Sequence, residues 1–366
     1  MSLNGKTWKR VGLGAVVLVS TAVLAACGGK SSSTSSKTDE INWYTPTEIS
    51  TLDISKVTDT YSSIAIGNSG SNLLRRNEDG ELKPDLAEKV EVSEDGLTYT
   101  ATLRDGLKWS DGSDLTADDF VYTWQRIVDP ATASQYAYLA SDAHVLNAAE
   151  VINGTKSVDE LGVKADGNKV IFTLSSPSPQ FMSLLTFANF IPQNKAFVEK
   201  AGSDYATTSE KALYSGPYTV KNWNGSNGSF TLVKNKYYWD AKNVKLKKVN
   251  VQAVKKPDTA VQMYKDGELD TANISGTEAI YKANKNNKDV VDAPEATSAY
   301  LVYNETGSVK ALANTKIRQA LNLATNREGL VKAAIDTGSK AATALVPTGL
   351  ETLEDGTDLS KYVSKL

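Results

Sequence analysis

Of 366 residues, only one is cysteine, Cys27, and only one is histidine, His144. Without a second thiol the chain cannot close an internal disulfide, and one thiolate with one imidazole cannot furnish a four-ligand zinc set. A Ser/His/Asp triad would have to run through His144, and no Gly-x-Ser-x-Gly elbow accompanies it; Gly67-Asn68-Ser69-Gly70-Ser71 misplaces the serine. A lone histidine is far more often structural than catalytic, so the chain reads as a non-enzyme. A Gly-x-x-x-x-Gly-Lys-Ser/Thr loop is missing too, and any ATP-driven work needs a separate protein. Asp111-Gly112-Ser113-Asp114 departs from calcium-loop spacing, and no cofactor is expected. There is no basic stripe interleaved with aromatics. The densest lysine stretch, Lys242 to Lys256, sets Lys245, Lys247 and Lys248 around Leu246 and Val249, which is the alternation of a solvated strand face and not of a nucleic-acid site. No apolar run reaches the roughly 18 residues of a membrane-spanning helix.

What is present begins at the amino end. Lys6, Lys9 and Arg10 precede an apolar stretch from Val11 to Ala26, the order of an export signal. The stretch closes on Leu24-Ala25-Ala26-Cys27, which resembles the lipobox of bacterial lipoproteins. Residues 1–26 are therefore expected to be a signal peptide and Cys27 a lipid attachment site; the alternative is an ordinary buried cysteine. Two acyl chains would hold the mature protein at the outer face of the cytoplasmic membrane, as in Gram-positive bacteria. Gly28-Gly29-Lys30 and the Ser/Thr run that follows read as a flexible tether over 27–40. Losing residues 1–26 removes three cations and no anions, so the formal charge falls from −3 to −6. About 330 remaining residues are enough for two lobes.

Hairpin signals dominate the first half. Val90-Glu91-Val92, the turn Glu94-Asp95-Gly96 and the alternation Leu97, Tyr99, Ala101, Leu103 predict one hairpin. Leu161 to Leu174, turning at Asp166-Gly167, predicts a second, and Tyr218 to Val233 a third, through a Gly/Asn/Ser-rich turn between Trp223 and Phe230. Thr116 with Asp119 forms a capping box before Phe120, Val121, Trp124, Ile127 and Val128, which share one helix face until Asp129-Pro130 stops it. Further helices are predicted over Asp258–Asp266, ending at Gly267, and from Asn314 or Thr315, with Ile317, Ala320, Leu321 and Ala324 inward. Beyond Asp336 periodicity fades.

The most specific run is Leu103-Arg104-Asp105-Gly106-Leu107-Lys108-Trp109-Ser110-Asp111-Gly112, followed by Leu115-Thr116-Ala117-Asp118-Asp119-Phe120. Nothing in it performs chemistry. It resembles the signature region of the extracellular solute-binding proteins of peptide and nickel ABC importers, above all the oligopeptide-binding lipoproteins. Asn72-Leu73-Leu74, Lys83-Pro84-Asp85-Leu86-Ala87, Asp118 to Arg126, Gly216-Pro217-Tyr218, Asn235 to Asp240 and Lys316 to Leu321 are similar to family landmarks in family order.

The resemblance implies an α/β, two-lobed periplasmic-binding-protein-like fold with an inserted subdomain. Lobe I would comprise 41–81 and 191–297, the insert 82–190, and a partial lobe II 298–366. Family oligopeptide binders are substantially longer, so the expectation is a truncated member with an incomplete second lobe and an uncovered apolar surface near 298–346. It also implies an oligopeptide ligand held through its backbone, delivery to ABC importer permease subunits with separate ATPases, and a monomer. By similarity the ligand-facing positions are Thr58, Asp59 and Thr60 on a segment Val57–Tyr61 compatible with an extended edge, then Tyr136, Tyr138, Asn273 and Tyr300. Each of these last four reads equally well as a core aromatic or turn residue. The competing functions are a surface interaction protein or signalling-peptide receptor, such as an adhesin or pheromone binder, and a truncated product that binds nothing.

Overall fold

The computed structural model of the protein describes residues 39–275, 278–293, 295, 297–334, 338–350, 352, 353 and 355–363, so the expected signal peptide, Cys27 and most of the expected tether lie outside the described residues. Among the described residues, ten strands make three sheets. One sheet joins distant parts of the chain: β1 (Glu40–Thr45) lies parallel to β10 (Lys248–Ala253), which runs antiparallel to β9 (Ser229–Lys234), which in turn pairs with β8 (Tyr218–Lys221). Trp43 faces Val251, and Val251 faces Phe230 across the next ladder. A small hairpin, β2 (Leu74–Arg76) with β3 (Leu82–Pro84), leads to a second four-stranded sheet in the order β4-β5-β7-β6. Its strands are β4 (Ala87–Val92), β5 (Thr98–Leu103), β6 (Val163–Asp166) and β7 (Lys169–Thr173), all antiparallel.

The three predicted hairpins form where turn chemistry places them. Gly96 and Gly167 sit at φ +69° and +59°, backbone that a side chain strains and glycine does not. Period-2 patterning then sorts the faces: Tyr99, Ala101, Leu103, Val170 and Phe172 are all buried.

Two main cores result. The first gathers residues from Leu73 to Phe190 around helix α2 (Ala117–Val128), whose Trp124 stacks on Phe190 at 4.0 Å between ring centres and meets Phe172 edge-on at 5.1 Å. Helix α1 (Thr60–Ser69) and the sheet containing β1 enclose the second, with Ile49, Leu52, Ile66, Ile191, Val220, Trp223 and Val249. A polar seam joins them. Asp53 takes both Nη1 (2.6 Å) and Nη2 (2.8 Å) of Arg126, Gln193 takes a further Nη1 bond at 2.6 Å, and the Asn189 amide donates to the carbonyls of Ile54 and Val57. Gly70 and Gly216 approach so closely that a Cβ on Gly216 would lie 2.5 Å from the Gly70 carbonyl oxygen.

Two expectations are corrected. The helix Thr315–Ala324 forms and is capped by Asn314, whose Oδ1 accepts from Lys316 N–H at 2.9 Å, yet Ile317, Ala320, Leu321 and Ala324 are exposed instead of inward. Period 3.6 sets a helix face but not what covers it, and Ile317 and Leu321 are left 39% and 41% exposed. Val302 and Leu323 nearby are 80% and 83% exposed. Likewise Val57–Tyr61 is not an extended edge: Asp59 is the N-cap of α1, and Thr60 is its first residue.

Candidate functional site

The segment before α1 is held by its own side chains. Asp59 Oδ1 accepts from Ser62 N–H (2.8 Å), and Oδ2 accepts from the Ser50 hydroxyl (2.6 Å). Burial alone would push the carboxyl up, but those donors outweigh it and hold it below the ordinary carboxylate range. Asp59 is thus spent on capping, while Thr58 and Thr60 remain exposed.

Tyr136 and Tyr138 do come together. Their rings stack with centres 6.3 Å apart, and Phe187 meets Tyr136 edge-on at 5.4 Å. Tyr138 begins a short helix (Tyr138–Asp142) and is half exposed, so the trio offers an apolar, π-rich surface to solvent. Phe187 was not singled out from the sequence. The one clue lay in Asn72 of the Asn-Leu-Leu landmark, whose amide donates to the Phe187 carbonyl at 3.0 Å and fixes that loop.

Asn273 sits against the edge of β1. Its N–H donates to the Tyr44 hydroxyl at 2.8 Å, while Oδ1 accepts from Ser275 N–H at 2.7 Å. Just before it, Asp270 N–H donates to the Asn42 carbonyl, and Asn42 N–H returns a bond to Asp270 Oδ2, so this stretch covers part of the edge. Tyr300 is 69% exposed. Among the described residues no hydrogen bond or ring contact links Asp59, Asn273 or Tyr300 to one another or to the aromatic trio. His144, in left-handed backbone at φ +61°, is exposed, and its carbonyl accepts from Ser175 N–H.

The landmark residues do a different job. Trp109, fully buried, donates Nε1–H to Asp119 Oδ2 at 3.2 Å, and the same oxygen accepts from Thr116 N–H at 2.9 Å to cap α2. Burial pushes the Asp119 carboxyl up to about 6, against the pull of those donors. Because the folded carboxyl binds its proton at higher pH than the unfolded one, its ionised form costs stability, in full above about pH 6 and vanishing as pH falls towards the ordinary carboxylate range. Asp119→Asn is therefore expected to gain stability relative to wild type as pH is raised from 5 through about 7. Urea midpoints of both proteins across that window check it; a difference that does not change with pH refutes it. Asp85 is a second such anchor: burial raises its carboxyl although Trp239 Nε1–H donates to it at 2.9 Å. Arg104 lies over the Trp239 ring at 3.9 Å. A depression of about 270 Å³ between the Arg104–Leu107 turn and the start of α2 is lined by Arg104, Asp105, Leu107, Leu115, Thr116 and Asn168 among others, and not by Trp109, Asp119, Asp85 or Trp239. Among the described residues no three His, Cys, Asp or Glu converge as a metal site, and no helix is long and apolar enough to cross a membrane.

Residues 81–361 match the bacterial extracellular solute-binding proteins, family 5 Middle. The chain is 40% identical over 371 residues to a dipeptide-binding protein of Lactococcus lactis subsp. cremoris, an alignment covering 98% of this chain and 66% of that protein. It is 34% identical to the oligopeptide-binding protein OppA of Bacillus subtilis, over 95% of this chain and 65% of the other. Among solved structures, Listeria monocytogenes OppA bound to peptide superposes with a TM-score of 0.82 at 34% identity, covering 89% of this chain and 64% of that one. The pheromone receptor PrgZ gives the same TM-score and identity, over 89% and 65%. The chain thus spans slightly under two thirds of the relatives' length, within the two-lobed α/β architecture they define.

Proposed function

The chain belongs to the bacterial extracellular solute-binding proteins of family 5, and from that premise we propose that it captures oligopeptides outside the cell for an ABC importer whose permease and ATPases are separate proteins. The observation that carries this reading is the 0.82 TM-score to OppA bound to peptide, at 34% identity. Backbone hydrogen bonding to an extended ligand explains how such a protein accepts many sequences, and the Tyr136, Tyr138 and Phe187 surface supplies apolar contact for side chains. Thr58, Asp59, Thr60, Asn273 and Tyr300 belong to the same proposal as ligand-facing positions, with the Asp59 cap fixing the start of α1 beside Thr58 and Thr60. In this reading 41–81 with 191–297 form lobe I, 82–190 the insert, and 298–366 part of lobe II; the separate cores either side of the Asp53–Arg126 seam support that division. A lipid on Cys27 and the tether after it would keep the monomer near its permease at high effective concentration.

Soluble protein from Lys30 onward, titrated with mixed di- to nonapeptides, is expected to gain stability as RT ln(1+[L]/Kd), about 2.7 kcal/mol at a hundredfold excess over Kd. Differential scanning fluorimetry reads this as a rise in Tm. Tyr138→Ala should weaken the effect without lowering the Tm of the peptide-free protein, because the ring is half exposed. No shift with any peptide pool overturns the reading for this chain. Likeness to PrgZ favours one second reading, a signalling-peptide receptor, which would respond to a single sequence and not to the pool.

A further inference from the structure

Three Asn-Gly pairs occur among the described residues: Asn153–Gly154, Asn224–Gly225 and Asn227–Gly228. Where glycine follows asparagine, no Cβ shields the glycine nitrogen, which can reach the asparagine side-chain carbon. The three pairs differ sharply in how the fold treats the attacking nitrogen, the carbonyl oxygen and the leaving group.

Asn224 lies in the turn between β8 and β9 and is exposed. Its Oδ1 accepts from Ser226 N–H (3.1 Å), Asn227 N–H (2.9 Å) and the Ser226 hydroxyl (3.3 Å). Three donors aimed at one oxygen stabilise negative charge that develops there. Among the described residues no acceptor holds Asn224 Nδ2. Gly225 is fixed as glycine by φ +94° and by the Thr207 carbonyl oxygen, 2.5 Å from where a Cβ would stand.

The other two pairs lack this combination. Asn227 Nδ2 donates to the carbonyls of Asn222 (2.8 Å) and Ser229 (2.7 Å), so losing that nitrogen breaks two bonds that shape the turn. At Asn153 the nucleophile is engaged, since Gly154 N–H donates to the Val151 carbonyl at 2.9 Å.

We propose that Asn224 is a self-modification site, converted to aspartate and isoaspartate by attack of its own backbone. Gly225 N gives its proton to solvent base and bonds to Asn224 Cγ, while the charge moves onto Oδ1 within the three-donor cradle. The Cγ–Nδ2 bond then breaks, Nδ2 takes a proton from water, and ammonia leaves a five-membered succinimide. Water adds to either ring carbonyl and opens it. A neutral amide becomes a carboxylate, and in the isoaspartate product the main chain passes through one extra methylene, which breaks the register of the Asn224–Asn227 turn.

The test incubates the intact folded protein at mildly alkaline pH, digests it with trypsin and follows a mass gain of about 1 Da by fragment ions. Asn224 and Asn227 share the peptide Asn222–Lys234, and fragmentation separates them. Asn224 is expected to convert at least about tenfold faster than Asn227 and Asn153 in the folded protein, a barrier difference of about 1.4 kcal/mol. In urea the three rates should converge, and Asn224→Gln should abolish the fast conversion. Equal rates at Asn224 and either other site in the folded protein, or a preference for Asn224 that survives in urea, would overturn the proposal.

Discussion

Asp53→Ala is expected to destabilise the protein by about 3–5 kcal/mol, because it strands a buried guanidinium. Arg126 is largely enclosed at the seam, with Asp53 as its two-point partner, Gln193 beside it and the Tyr205 ring 5.1 Å away. Burial works against its charge, and the Asp53 carboxylate overcomes that and holds the guanidinium above its ordinary range. With the carboxylate gone, the cation keeps its desolvation cost and loses its compensation. The Asp53→Ala/Arg126→Met double variant should recover much of the loss, since no orphan charge remains. Urea unfolding of wild type, single and double variants checks both statements; a single-variant cost below about 1 kcal/mol would mean that water reaches Arg126 freely.

Trp124→Ala should cost a similar amount, about 3–5 kcal/mol, by a different mechanism. The indole is fully buried and touches Phe172, Phe181 and Phe190, so its removal loses transfer energy and leaves a cavity that three aromatic neighbours cannot fill in their present rotamers. Trp124→Phe should retain most of the stability. Near-ultraviolet circular dichroism with urea midpoints reads the result, and a loss under about 1.5 kcal/mol would show that the first core repacks around the gap.

Local chemistry made much of this fold legible. Asp-Gly turns, period-2 alternation and the Thr116/Asp119 cap each specify geometry within a few residues, and the hairpins and α2 follow. The pairing of β1 with β10 left no local trace, because a parallel partner is chosen by the whole fold. Helix Thr315–Ala324 was readable as a helix for the same local reason, while its exposure was not, since burial belongs to the partner. At the candidate site the difficulty was of another kind. Asp59 looks the same in sequence whether or not it caps a helix, and only its bonds to Ser50 and Ser62 reveal the cap. The family landmarks proved to be anchors such as Trp109 with Asp119 and Asp85 with Trp239, strongly marked because buried polar groups admit few substitutes. The aromatic trio is weakly marked, since Phe187 sits far from the tyrosines in the chain.

The parallel pairing of β1 with β10 also fixes an order of events during synthesis. Asn42 meets Asn250 across 208 residues, so β1 emerges first yet must wait, unpaired, until the last strand of its sheet has been made. The sheet of β4 to β7 draws on a contiguous stretch and can close much earlier. A nascent chain therefore carries β1 without its ladder partner until residue 253 has been made, whereas the sheet of β4 to β7 needs nothing beyond residue 173.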